Sequence, residues 1–248
     1  MAEMTRSASD AARGLAVALG VLGTWAACTV LLVTTPLSAL PVWAVPLLIL
    51  TQTFLYTGLF ITAHDGMHGT ICPRHPRLND ALGIAAVGVY ALFDFRALRR
   101  AHRDHHRTPA SSGDPDYHDG EHTQLWRWYL TFLWRYLSWK QVAGMAVIFN
   151  VLVYGVGLAE PSLVLFWIVP SLLSTLQLFV VGTWLPHRDL PGGHADAHRA
   201  RSLDLPPWLS LLACYHFGYH HEHHDRPAVP WWRLPTARRD AVARTGYP

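Results

Sequence analysis

Phe60-Ile61-Thr62-Ala63-His64-Asp65-Gly66-Met67-His68 is where a long uncharged stretch ends in a pair of histidines. Between Arg13 and Asp65 there is no Asp, Glu, Lys or Arg, and between Lys140 and Arg188 the only charged residue is Glu160. Lipid hydrocarbon imposes such exclusion, because a charge at the centre of a spanning helix is costly and a crossing takes about 20 apolar residues. Each block is long enough for two crossings: residues 15–33 and 42–63, separated by Thr34-Thr35-Pro36-Leu37-Ser38-Ala39-Leu40-Pro41, and residues 142–158 and 163–185. The 248 residues read as one all-α unit, residues 1–248, embedded in a membrane by four transmembrane helices.

The short turns inside each block carry no Lys or Arg, so every basic residue falls in the N-terminal, central or C-terminal segment. The positive-inside rule places those three segments, both termini included, in the cytoplasm. The net charge of +3 comes from basic residues that flank apolar blocks and are diluted by acidic ones, which favours anionic lipid over nucleic acid as their contact. Cys28, Cys72 and Cys214 form no Cys-x-x-Cys, and no small-residue cleavage site follows the first span, which reads as retained. Residues 81–93 are apolar but too short to cross and predict a re-entrant or interfacial helix. Trp126, Trp128, Trp134 and Trp139 mark a stretch at headgroup level, and Pro191-Gly192-Gly193-His194 reads as a flexible loop.

Sixteen histidines occur, ten of them in three clusters beside these apolar segments. His64 and His68 lie one helical turn apart; His102, His105 and His106 form the i, i+3, i+4 version, which His220, His223 and His224 repeat. With His187 these are nine imidazoles on one side of the membrane, too many for one tetrahedral zinc. Imidazole suits iron, copper, nickel and zinc, but two ions with four or five nitrogens each and open positions fit oxygen activation by non-haem iron better than a structural role. Asp65, Asp104, Asp116 and Glu222 are candidates to orient the rings. His216, one turn before His220, and His118 are further candidates as ligands or ring-orienting groups, whereas His75, His122, His194 and His198 read as solvated loop residues.

The three-box arrangement resembles the membrane fatty acid desaturase and hydroxylase superfamily. Four strings narrow the likeness: Phe60 to Gly69, the Gly113-Asp114-Pro115-Asp116-Tyr117-His118 turn, Trp184-Leu185-Pro186-His187-Arg188, and Tyr215-His216-Phe217-Gly218-Tyr219-His220-His221-Glu222-His223-His224. Together they resemble the bacterial β-carotene ketolase family from about Phe54 to Pro235. The resemblance implies four membrane helices with a cytoplasmic helical cap in the bacterial inner membrane. It implies two ferrous ions held by His64, His68, His102, His105, His106, His187, His220, His223 and His224, with O2 as co-substrate. In the desaturase branch an asparagine one turn before the isolated histidine belongs to the metal environment; Thr183 stands there in this chain.

The implied substrate is a carotenoid entering from the bilayer, oxidised at carbon 4 of a β-ionone ring. Phe60, Phe93, Phe95, Trp184, Phe217 and Tyr219 are near enough in sequence to the histidines to shape that end of a substrate site. Arg99, Arg100 and Arg103 could dock an external electron donor such as an acidic ferredoxin. A carotenoid 3-hydroxylase or a fatty acyl desaturase would use nearly the same ligands. A metal transporter is the reading from another class, and it requires polar residues along the spans rather than histidines at their ends.

Overall fold

The computed structural model describes residues 8–189, 193–194 and 196–245, so Pro191 and Gly192 of the expected loop lie outside the described residues. Ten helices follow in order: α1 (Ala8–Thr34), α2 (Ala44–Met67), α3 (Pro76–Ala91), α4 (Phe95–Arg107), α5 (Leu125–Tyr136), α6 (Trp139–Gly155), α7 (Glu160–His187), α8 (Pro207–Cys214), α9 (His220–Asp225) and α10 (Leu234–Thr245). No strand occurs among the described residues.

Local chemistry fixes several ends. Pro76, Pro161 and Pro207 sit in the first turns of α3, α7 and α8, where a missing N–H costs nothing. Asp94 caps α4 by accepting from the backbone N–H groups of Arg96 and Ala97, and Ser138 with Gln141 forms a capping box on α6. Leu92, at φ 57°, closes α3, and α4 leaves at 103° to it.

Three helices are long and apolar enough to cross a membrane: Asp10–Thr34, Ala44–Met67 and Glu160–His187. These match the first, second and fourth expected spans. The expected third, residues 142–158, falls largely in α6, which ends at Gly155, is not among those three and is bent by 84° against α5. The number of crossings reaches five only if that pair and the α3–α4 pair each count as one span. Val30, Leu31, Leu50 and Tyr154 are exposed on these helices, as a lipid-facing surface requires.

The hub is α2, packed against α1, α3 and α7 and buried along most of its length from Gln52 to Met67. Polar side chains tie this packing together by hydrogen bonds between helices. The Thr57 hydroxyl hydrogen-bonds Gln177 Oε1 at 2.7 Å and lies 3.0 Å from the Ser174 hydroxyl, to which Tyr90 also reaches at 3.0 Å. Gln177 Nε2 donates to the Ala213 carbonyl at 2.8 Å, tying α8 to the same core.

Trp128 is corrected as an interfacial residue: it is 1 % exposed, donates Nε1 to the Asp116 carbonyl at 2.9 Å and meets Phe179 edge-on, whereas Trp126, Trp134 and Trp139 are exposed. The α3–α4 bend closes on Gly83, where an added Cβ would lie 2.3 Å from the Phe95 ring. Gly83→Ala is expected to destabilise the fold by about 2 kcal/mol net of its helix propensity, lowering the thermal midpoint in detergent by about 4–8 °C.

Candidate metal centre

The histidine clusters occupy helix ends that converge. His64 lies in the last turn of α2 with His68 capping it, His102, His105 and His106 end α4, His187 ends α7, and His220, His223 and His224 fill α9. Their ring nitrogens assemble into two groups, each with donor atoms within 4.8 Å of one another. One holds His64, His68, His102, His106 and His223; the other holds His105, His187, His220 and His224.

The spacing His-x-x-His-His explains the split. On α4 the i, i+4 pair His102 and His106 serves the five-membered group while His105 turns to the other. On α9 the roles reverse, with His220 and His224 in the four-membered group and His223 crossing to the first. Each helix therefore contributes to both groups, so neither can shift without disturbing both.

The donor set fits a metal. Nε2 to Nε2 separations are 2.7 Å for His68–His102, 3.1 Å for His102–His106, 3.0 Å for His106–His223, and 3.1 Å for both His105–His224 and His220–His224. Right-angled metal–nitrogen bonds of about 2.1 Å would place neighbouring nitrogens about 3.0 Å apart. Both ring nitrogens of His64 and Nε2 of His187 are buried without a hydrogen-bond partner among the described residues, a costly state that a coordinated ion relieves. Burial, and then the neighbouring imidazoles, hold His220, His223 and His224 well below the ordinary imidazole range, leaving their lone pairs available at neutral pH.

Asp114, absent from the expected carboxylates, is the clearest ring-orienting group. His105 Nδ1 lies 2.9 Å from both its oxygens, so that nitrogen carries the proton and Nε2 faces the ligand group. His187 Nδ1 donates to the Arg199 carbonyl at 2.8 Å with the same result. The four expected carboxylates do otherwise. Asp104 turns outward to Arg107 at 2.9 Å, and Glu222 is buried against Arg238 at 2.9 Å and the Ser202 hydroxyl, anchoring α10. Asp65 is 3.8 Å from His64 Nδ1, beyond hydrogen bonding, and accepts from the Trp231 N–H at 3.3 Å. Asp116 lies 3.8 Å from His105 Nδ1 and accepts from the Tyr136 hydroxyl.

His216 and His118 belong to neither group. His216, in a left-handed conformation at φ 62°, stacks on Tyr219, and His118 lies 3.2 Å from Asp189. The asparagine-equivalent Thr183 sits in a π-helical turn, Val180–Trp184, just before His187.

A cavity opens beside both groups, with His64, His102, His105 and His220 in its wall. Phe60, Phe93 and Phe217 line it, together with Thr183 and Asp116. Phe95, Trp184 and Tyr219 do not: Phe95 fills the space over Gly83, Trp184 lies under the Arg188 guanidinium, and Tyr219 donates to the Leu205 carbonyl at 2.7 Å. Phe132, Leu133 and Tyr136 of α5 are wall residues that sequence reading missed; their i, i+1, i+4 spacing on a tryptophan-rich helix was the available signal.

Comparison with known proteins adds independent findings. The fatty acid desaturase family model matches residues 38–148 and 134–247. A protein named beta-carotene ketolase from a Paracoccus species is 46 % identical over 188 residues, covering 75 % of this chain and 76 % of that one. A beta-carotene ketolase of Haematococcus lacustris is 38 % identical over 260 residues, covering 94 % of this chain and 80 % of its own length. A zeaxanthin 4-ketolase of Chlamydomonas reinhardtii is 42 % identical over 192 residues, covering 76 % and 43 %.

Proposed function

Because the chain belongs to the fatty acid desaturase family, and within it to the β-carotene ketolases, we propose that it is a β-carotene 4-ketolase, an O2-dependent membrane oxidoreductase. The observation that carries this reading is the largely apolar cavity that opens onto both histidine groups, which suits a long hydrocarbon better than any polar substrate. The nine grouped histidines would hold two iron ions. Bound there, iron supplies the oxidising power to activate O2 with outside electrons and break a C–H bond allylic to the polyene.

The atoms balance in three stages. A ring CH2 with O2, two electrons and two protons gives an alcohol and water; a second such oxidation at that carbon gives a geminal diol; the diol loses water to leave the ketone. The chain's own contribution is placement and exclusion. Phe60, Phe93 and Phe217 confine the ring beside the histidines, while Asp114 and the Arg199 carbonyl hold two ligand rings in the required tautomer.

We place α1, α2, α6 and α7 as four crossings of a bacterial inner membrane, with the histidine groups and both termini in a cytoplasmic cap, on the strength of where Lys and Arg fall. Electrons would come from an acidic carrier such as a ferredoxin. Arg96, Arg100, Arg103 and Arg107 recur along one side of α4, whereas Arg99 turns to Asp80 at 3.0 Å; this side stands next to His102 and His106, whose group keeps three half-buried ligands while the other group is fully buried. Arg103→Glu is expected to lower ferredoxin-supported turnover about tenfold at low ionic strength, with the loss shrinking as salt rises.

Expression in a β-carotene-producing host followed by product analysis tests the assignment. Echinenone and canthaxanthin are expected. Products oxidised only at carbon 3, or no oxidised carotenoid from iron-loaded protein, would overturn it.

A further inference from the structure

One carboxylate in the cavity wall has an oxygen to spare. Asp116 keeps 16 % side-chain exposure and lines the cavity, so its open side faces that space. Its backbone is pinned at both polar groups: the N–H donates to Asp114 Oδ1 at 2.8 Å and the carbonyl accepts from Trp128 Nε1 at 2.9 Å. Oδ1 accepts from the Tyr136 hydroxyl. Oδ2 has no hydrogen-bond donor among the described residues, since His105 Nδ1 stands 3.8 Å away with its proton directed to Asp114. The carboxylate is nonetheless within 4.8 Å of His105 and Asp114 donor atoms, beside the four-histidine group. The Thr175 hydroxyl is already engaged with the Leu172 carbonyl and the Tyr129 hydroxyl, both at 2.7 Å.

A β-ionone CH2 gains nothing from such an acceptor, whereas an alcohol does. We propose that Asp116, steered by Tyr136, holds the hydroxyl formed at ring carbon 4 by the first oxidation and so keeps the alcohol in place for the second. The proposal rests on the 4-ketolase reading. In an apolar cavity an unpaired hydroxyl favours departure to the headgroup region, and a hydrogen bond to the Asp116 carboxyl group reverses that preference by about tenfold. Retention of the alcohol is what makes the ketone, rather than the alcohol, the released product. Asp116 is the group that touches the intermediate; Tyr136 acts through it as a positioning residue.

Metal-free wild-type protein and its Tyr136→Phe, Asp116→Leu and Thr183→Val variants in lipid nanodiscs are titrated with β-carotene and with 4-hydroxy-β-carotene, following the carotenoid absorption shift. In parallel, the ratio of 4-hydroxy to 4-keto product and the iron content are measured on loaded protein. The wild type is expected to bind the alcohol about tenfold more tightly than the hydrocarbon. Asp116→Leu should equalise the two, and Tyr136→Phe, which keeps the cavity shape, should reduce the preference while 4-hydroxy product accumulates at wild-type iron content. Equal affinity in the wild type, an unchanged product ratio in both variants, or loss of the preference through Thr183→Val instead would overturn the proposal. A wild type that forms 4-hydroxy but no 4-keto product, or no product at all, overturns the 4-ketolase reading itself, which the binding titration distinguishes from failure of the Asp116 contact alone.

Discussion

His220→Ala is expected to lower ketone formation by more than about a hundredfold and, on the proposed two-iron reading, to reduce bound iron towards one ion per chain. Groups that merely orient a ligand already cost about 10–100-fold when removed, so a coordinating ring costs at least that much. His220 belongs to the group with only four histidines, all buried, where no solvent-facing edge lets water take the missing place easily. The half-buried His68 offers the contrast, because its group retains four other histidines. His68→Ala is accordingly expected to lose less iron than His220→Ala. His122→Ala, which removes a surface partner of Asp119 at 2.5 Å, should stay within about twofold of wild type. Metal analysis alongside product chromatography separates these outcomes, and full activity with two irons in His220→Ala would exclude the four-histidine group as a metal site.

The parts legible in the sequence were those written in a fixed period or in charge exclusion. The uncharged run up to His64 marks α2 because lipid tolerates no alternative, and His-x-x-His-His marks ligand helices because only a 3.6-residue repeat brings those rings to one face. That one histidine of each triplet could serve a neighbouring ion was legible, but which one crosses, His105 on α4 and His223 on α9, was not, since it depends on how two helices approach each other and not on the spacing within either. The 84° bend between α5 and α6 escaped for a related reason: it falls at Leu137 and Ser138, before the apolar run of residues 142–158, and hydropathy does not register an angle. Trp128 looked interfacial among three exposed tryptophans, and only its contact with Asp116 and Phe179 turns it inward. The carboxylates divide the same way. Asp104 and Glu222 drew attention by standing next to ligand histidines in sequence, but on a helix the adjacent residue points elsewhere by about 100°.

Asp114→Asn should weaken iron binding and ketone formation about 10–100-fold, the second largest effect expected among single substitutions here. The carboxylate is fully buried and accepts the N–H groups of Ala110 at 2.9 Å and Asp116 at 2.8 Å besides receiving His105 Nδ1–H. It therefore fixes at once the tautomer of a ligand and the path of the turn that carries Asp116 into the cavity wall. Asparagine keeps the volume and one accepting oxygen but presents an N–H₂ where the second oxygen stood. One of three donors then faces another donor, and the ring of His105 can avoid this only by turning or by moving its proton to Nε2, which takes the lone pair away from the metal. Because His105 sits in the four-histidine group, the loss should fall on one iron and be partly restored by raising the Fe2+ concentration, which a folding defect would not allow. Asp114→Asn protein that binds two irons at wild-type affinity would reduce Asp114 to a turn-forming residue.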